Sequence, residues 1–255
     1  MLGKLLKYDL RATAGPMLIS YVILLGYGAI LKLSGMELDL SGTYTGIHWM
    51  MQLFLYVGFV VVMVGVMLFT YVQILRRFYT NLFSSQGYLT NTLPVRPSQL
   101  VLSKVLMGVF WLIVTNLLLL ACLVLLGTEL PAALRQTVFS AISLALNRTP
   151  GENLALAGLA LVFSLFASVL VFYACICLGQ LFAKARILAA VLIYLGWTLA
   201  EGTLTSLVTG ILVALVGPEQ ADLVALVLAD LYYAVIILGA SYLCCYILRR
   251  HLNLQ

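Results

Sequence analysis

Long apolar runs, separated by charged residues and helix breakers, dominate the pattern of this chain. The first opens at Pro16 and continues to about Leu33; the second covers about Met50 to Leu75, and the third about Leu100 to Leu126. The fourth extends from Leu154 to Leu181, the fifth from Ile187 to about Val216, and the sixth from about Leu223 to Leu248. A helix needs roughly 18 to 20 apolar residues to cross about 30 Å of hydrocarbon, and every run meets that length. The pattern therefore predicts an all-α membrane protein with six transmembrane helices. A run of about 26 residues rises about 39 Å, so the longer helices must tilt or protrude.

Residues 1–15 carry a different pattern. Leu2, Leu5, Leu6 and Leu10 share one helical arc, with Lys4, Lys7, Tyr8 and Arg11 on the opposite one. This predicts an N-terminal amphipathic helix lying in the membrane interface, with Pro16 opening the first span behind it. Asp9 falls on the apolar arc, so either the helix starts to unwind there or Asp9 meets a basic partner. Gly26-Tyr27-Gly28 loosely fits a signal-peptide cleavage pattern, but apolar residues continue to Leu33 and favour a retained anchor.

Composition agrees with the membrane reading. The chain is 64% apolar and 9% charged, with a mean hydropathy of +1.11, against about 25% charged residues in soluble domains. The net charge of +5 does not indicate nucleic acid, because the basic residues sit at the ends of apolar runs. With a cytoplasmic N-terminus, Lys4, Lys7, Arg11, Arg76, Arg77, Arg96, Lys104, Lys184, Arg186, Arg249 and Arg250 all fall inside, and only Lys32, Arg135 and Arg148 fall outside. The positive-inside bias predicts a multi-pass protein of the cell (inner or plasma) membrane with both termini cytoplasmic. The cysteines lie in apolar runs without C-x-x-C spacing, and Cys175 and Cys177 point to different faces of a helix, so they read as small packing residues without metal or disulfide.

Two connections are long. Residues 127–153 form the extracellular loop, in which Leu134, Val138, Phe139, Ile142 and Leu146 recur at helical spacing and predict a short surface helix. Asn147-Arg148-Thr149 matches a glycosylation sequon, but Pro150 follows and the match reads as chance. Residues 76–99 form the cytoplasmic loop between spans two and three. Phe78, Tyr79, Asn81 and Phe83 can form a short helix, Gly87 breaks it, and Leu93-Pro94-Val95-Arg96-Pro97 closes the loop, with Ser98 at the N-cap of span three. The expected product is a compact elbow exposing Phe83, Tyr88 and Leu93, large apolar groups that suit docking of another protein better than solvent.

At these residues the chain resembles the permease subunits of ABC-2-type transporters. The resemblance rests on Asn81-Leu82-Phe83, Gly87-Tyr88-Leu89, Thr92-Leu93-Pro94-Val95, Gln99-Leu100 and Ser103-Lys104, and it extends through the N-terminal helix and the six-span layout. Relatives often carry an acid just before the Gly-Tyr pair, where this chain has Gln86. The resemblance implies a cytoplasmic coupling helix seated in a groove of a separate ATPase, with Phe83, Gln86, Gly87, Tyr88, Leu93 and Pro94 as docking residues. It also implies a second permease copy or homologue, with ATP and Mg carried by the ATPase partner and no cofactor bound by this chain. Rows of small residues, Ala160, Ser164 and Ser168 in span four and Gly202, Ser206 and Gly210 in span five, suit close packing within the bundle or between permeases. No G-x-x-x-x-G-K-[ST] stretch holds phosphates, and Leu40-Ser41-Gly42 matches only the start of a cassette signature on the wrong side of the membrane.

Two acids lie inside spans. Glu201 falls about 14 residues into span five from the inside, roughly 21 Å, and Asp230 about 8 into span six from the outside, roughly 12 Å. Intramembrane acids are candidates for a substrate path, although Lys32 and water could satisfy them structurally. Catalysis in the membrane has little to work with: His48 and His251 sit at span ends and no H-E-x-x-H motif is present. The expected function is export of a hydrophobic or amphipathic cargo (peptide, lipid or drug), driven by a partner ATPase. An ion-coupled transporter using Glu201 and Asp230, or a sensor or immunity complex with little transport, are the alternatives.

Overall fold

The computed structural model describes residues 2–34, 47–83, 97–126, 154–182 and 185–250, and every regular element among them is a helix. In chain order these are α1 (Leu2–Leu33), α2 (Ile47–Phe83), α3 (Pro97–Leu125), α4 (Leu154–Gly179), α5 (Arg186–Val216) and α6 (Pro218–Arg250). Each contains a stretch long and apolar enough to cross a membrane, the architecture of a multi-pass membrane protein. Many large apolar side chains face outward, Leu199 and Leu215 among them. In water that surface would drive aggregation, whereas acyl chains solvate it. Residues 127–153, expected to form an extracellular loop, lie outside the described residues, as do 84–96 of the connection between α2 and α3.

Three boundaries differ from the sequence expectation. There is no separate interfacial helix: α1 runs unbroken from Leu2 through Pro16 to Leu33. Proline removes one main-chain hydrogen bond, a loss that membrane helices accommodate. Nor does the backbone unwind at Asp9, whose carbonyl accepts a 2.8 Å hydrogen bond from Thr13 Oγ1. Asp9 is only 4% exposed while Leu10 is 41% exposed. The inward face of α1 is the stripe through Met17, Tyr21, Leu24 and Leu31, and continuing it back at helical spacing reaches Thr13 and Asp9, within the leucine arc.

The second difference is at Arg76-Arg77, where α2 does not stop but continues to Phe83, so the residues expected to form a short helix of their own extend a 37-residue one. Third, α5 and α6 are separated by Gly217 alone, at φ 82°, with Pro218 opening α6. The left-handed conformation favours glycine, and proline suits a first helical position. At α3 the helix starts at Pro97, one residue ahead of the cap expected at Ser98, within the usual variation of helix ends.

The chain divides into two compact units. One comprises Lys7–Ile74 and Phe110–Asn147. Its centre is a knot of hydroxyls from three helices: Thr115 Oγ1 lies 2.8 Å from Tyr21 Oη and 3.1 Å from Thr70 Oγ1. All three groups are buried. Thr115 also bonds the Trp111 carbonyl at 2.8 Å, and the Trp111 indole donates to Thr13 Oγ1 at 2.9 Å. Tyr27 packs on Phe59, and its hydroxyl reaches the Leu55 carbonyl beside Gly58, where a larger residue would meet it.

Buried hydroxyls with no water to turn to must bond one another or main-chain carbonyls. Thr115→Val keeps the shape of the side chain and removes the oxygen shared by Tyr21 and Thr70. A loss of about 1 to 2 kcal/mol is expected, read as a lower unfolding midpoint in detergent. Thr198→Val is the control, because Thr198 bonds only its own helix at the Leu195 carbonyl, and its change should stay within about 0.5 kcal/mol.

The other unit comprises Met1–Leu6, Leu75–Val109 and Arg148–Gln255. Here α4 packs against both α5 and α6. Ala167, Val171 and Cys175 of α4 meet Ile236 of α6, and Ile193, Tyr194, Tyr232, Tyr233 and Ile237 pack around them. Because α4 is covered on a broad front, Cys175 and Cys177 are both buried although they project in different directions. They gather with Cys244 and Cys245 at the α4–α6 contact, and all five cysteines are free. At the other contact, Gly179 lies against the first turns of α5.

Candidate functional site

The described ends of the connection between α2 and α3 are held by one aromatic side chain. Phe78, near the end of α2, stacks on Tyr173 of α4 with ring centroids 3.8 Å apart and planes 7° from parallel. The Tyr173 hydroxyl donates to the Lys104 carbonyl of α3 at 3.2 Å. Tyr173 therefore touches the chain both before and after residues 84–96. Phe78, Leu82, Leu100, Val101 and Val105 are buried around this junction. Phe83 is half-buried rather than displayed, its ring beside Phe78 at 6.1 Å and Tyr79 at 6.2 Å, because it closes the continuous α2 instead of standing on a separate loop helix. Gln86, Gly87, Tyr88, Leu93 and Pro94 lie outside the described residues.

The second location is on α5 and α6. Tyr194, Trp197 and Glu201 follow one another at helical spacing and share a face of α5. The Trp197 indole donates to Glu201 Oε2 at 3.0 Å. From α6, Tyr232 and Tyr233 lie near the same carboxyl group. Tyr194 is fixed in turn by stacking on Phe172 of α4 at 4.3 Å and 20°. The result is one carboxyl group with four aromatic rings about it, supported on two helices and braced by a third. Trp197 is 37% exposed and Glu201 is half-buried, so the group opens outward from the bundle.

Asp230 is one turn before Tyr233 on α6, and both of its carboxyl oxygens are buried without a hydrogen-bond partner among the described residues. Leaving a polar group in that condition costs about 1 to 3 kcal/mol, more when it is charged. Of the small-residue rows, Gly202, Ser206 and Gly210 face outward, with open space at both glycines. Ala160, Ser164 and Ser168 are half-buried.

Sequence reasoning singled out the two acids and the connection between α2 and α3 but missed Tyr173 and the aromatic frame. The spacing of Tyr194, Trp197 and Glu201 was a usable signal for half of that frame. The partnership with Tyr232 and Tyr233 depends on how α5 meets α6. Comparison of the chain with family models, curated proteins and solved structures finds no match.

Proposed function

We propose that this chain is the membrane-spanning permease subunit of an ATP-binding cassette exporter, moving a hydrophobic or amphipathic cargo outward with ATP hydrolysed on a separate cytoplasmic subunit. The observation that carries the reading is the clamp at Tyr173. A loop that serves as a docking elbow must pass a push to the spans, which requires stiff stems. Here the stem entering the loop stacks on Tyr173 and the stem leaving it accepts the Tyr173 hydrogen bond. Tyr173 lies on α4, the helix that packs against the pair carrying Glu201 and Asp230. A contiguous chain of packed groups therefore joins the ends of the loop to the acidic helices.

In this reading the termini and the 84–96 loop are cytoplasmic, the ATPase seats on Phe83, Gln86, Gly87, Tyr88, Leu93 and Pro94, and a second permease completes the complex. The open Gly202, Ser206 and Gly210 row supports close helix packing between permeases. The unpartnered Asp230 favours a second reading, an ion-coupled transporter in which Asp230 and Glu201 carry the coupling ion. Mild-detergent capture of the chain from its own membrane, with intact-mass identification of what accompanies it, separates the two. Recovery of an ATPase of about 25 to 35 kDa, the size of a two-lobed subunit, is the expected result. A clean homo-oligomer without an ATPase would overturn the proposal in favour of ion coupling.

A further inference from the structure

The aromatic frame around Glu201 has a chemistry of its own. The hydrogen bond from Trp197 orients the carboxyl group without supplying an opposite charge, since the donor is a neutral dipole, and Tyr232 lies close by on α6. No basic side chain compensates nearby in sequence: from Ile187 to Leu248 there is no lysine, arginine or histidine, while Glu201, Glu219, Asp222 and Asp230 all fall in that stretch. From Leu154 to Leu181 on α4 there is none either. Aromatic rings add to the field of the acid, because each presents a negative face to a nearby cation. An anion flanked by tryptophan and tyrosine rings in an apolar setting suits one class of ligand, a positive group too weakly hydrated to resist leaving water.

We propose that Glu201, with Trp197, Tyr194, Tyr232 and Tyr233, binds the charged head of a lipophilic cation, such as a quaternary ammonium or protonated amine on an apolar body. The outward opening at Trp197 gives such a ligand an approach from the lipid-facing side of α5, where its body remains in an apolar medium. Asp230 rises from the same face of α6 as Tyr233 and supplies a second acidic group on the helix that completes the frame. The binding site stands on the geometry of this chain. That its ligand is the exported cargo rests on the permease reading above, and the test does not depend on that reading because no ATPase is needed.

The full chain, in nanodiscs of zwitterionic lipid, is titrated with radiolabelled tetraphenylphosphonium and, separately, with tetraphenylborate, an anion of matched size and apolarity. Empty nanodiscs correct for partition into lipid. Saturable binding of the phosphonium is expected, weakened about tenfold by Glu201→Gln, which keeps the side chain's shape and its ability to accept from Trp197. Trp197→Leu, at an exposed position that folding tolerates, should weaken binding about three- to tenfold by removing a ring face. Equal phosphonium affinity in the unmodified chain and both variants would overturn the proposal. So would tetraphenylborate binding as tightly as the phosphonium, which would mark a merely greasy crevice. Neither failure would bear on the capture of an ATPase, and a failed capture would not bear on cation binding.

Discussion

Gly179→Val should destabilise the protein by about 3 kcal/mol or more, the top of the usual range for forcing extra volume into a packed contact. A Cβ at this position would lie 2.6 Å from the Arg186 carbonyl oxygen, 2.8 Å from Ala190 Cβ and 3.0 Å from the Ala190 nitrogen. Two of those atoms are main chain within the first turns of α5, so no rotamer change relieves the clash. The connection between α4 and α5 is too short to absorb a shift: the Leu181 and Phe182 amides already bond the Leu178 and Gly179 carbonyls. Relief requires moving α5 off α4, which loosens Tyr194 on Phe172 and with it the frame of Glu201. Thermal unfolding in detergent, followed by size-exclusion elution, reads the effect. Gly239→Ala on α6, with nothing within 4 Å of the added carbon, is the matched control and should be neutral or slightly stabilising. A valine variant as stable as the control would show that α4 and α5 do not approach this closely.

Charged replacements in the connection between α2 and α3 should have the largest effect on function. In the proposed complex Tyr88→Glu and Leu93→Glu each place a carboxylate against a surface built for an apolar group. Burying an unpaired charge costs several kcal/mol, enough to release a transient docking contact. Stimulation of the partner's ATPase by this chain should fall to the level of the ATPase alone, while membrane insertion and elution of the isolated chain stay unchanged. Normal coupling in both variants would move the docking surface elsewhere on the chain.

The six membrane-length helices and most of their ends were legible because each follows from local chemistry. A run of apolar residues cannot remain in water, and in lipid its main chain must bond to itself. The misread boundaries share a cause. Pro16 and Arg76-Arg77 were treated as punctuation, and unwinding was one of the two outcomes expected at Asp9, yet the helices pass through all three. A proline ends a helix in water more readily than in an apolar medium, where breaking the ladder exposes further unsatisfied groups. Phe83 was placed on a separate loop helix for the same reason, and the continuous α2 leaves it half-buried beside Phe78 and Tyr79.

The candidate sites divide along the same line. Glu201 and Asp230 stood out because a carboxylate inside an apolar run is improbable wherever it faces. Their surroundings were not legible, nor was the hydroxyl knot of Tyr21, Thr70 and Thr115 or the Tyr173 clamp. In a soluble helix, the alternation of apolar and polar residues tells which face turns inward. These helices are apolar nearly all round, and lipid solvates a leucine as well as a neighbouring helix does, so periodicity carries little information about facing. The sequence by itself determined a membrane protein with six membrane-length helices and two acids among them. Which side of each helix meets another, and so which rings frame Glu201 and which hydroxyls share a proton, was decided only by tertiary packing, because contacts between helices depend on close fit and hydrogen bonding rather than on escape from water.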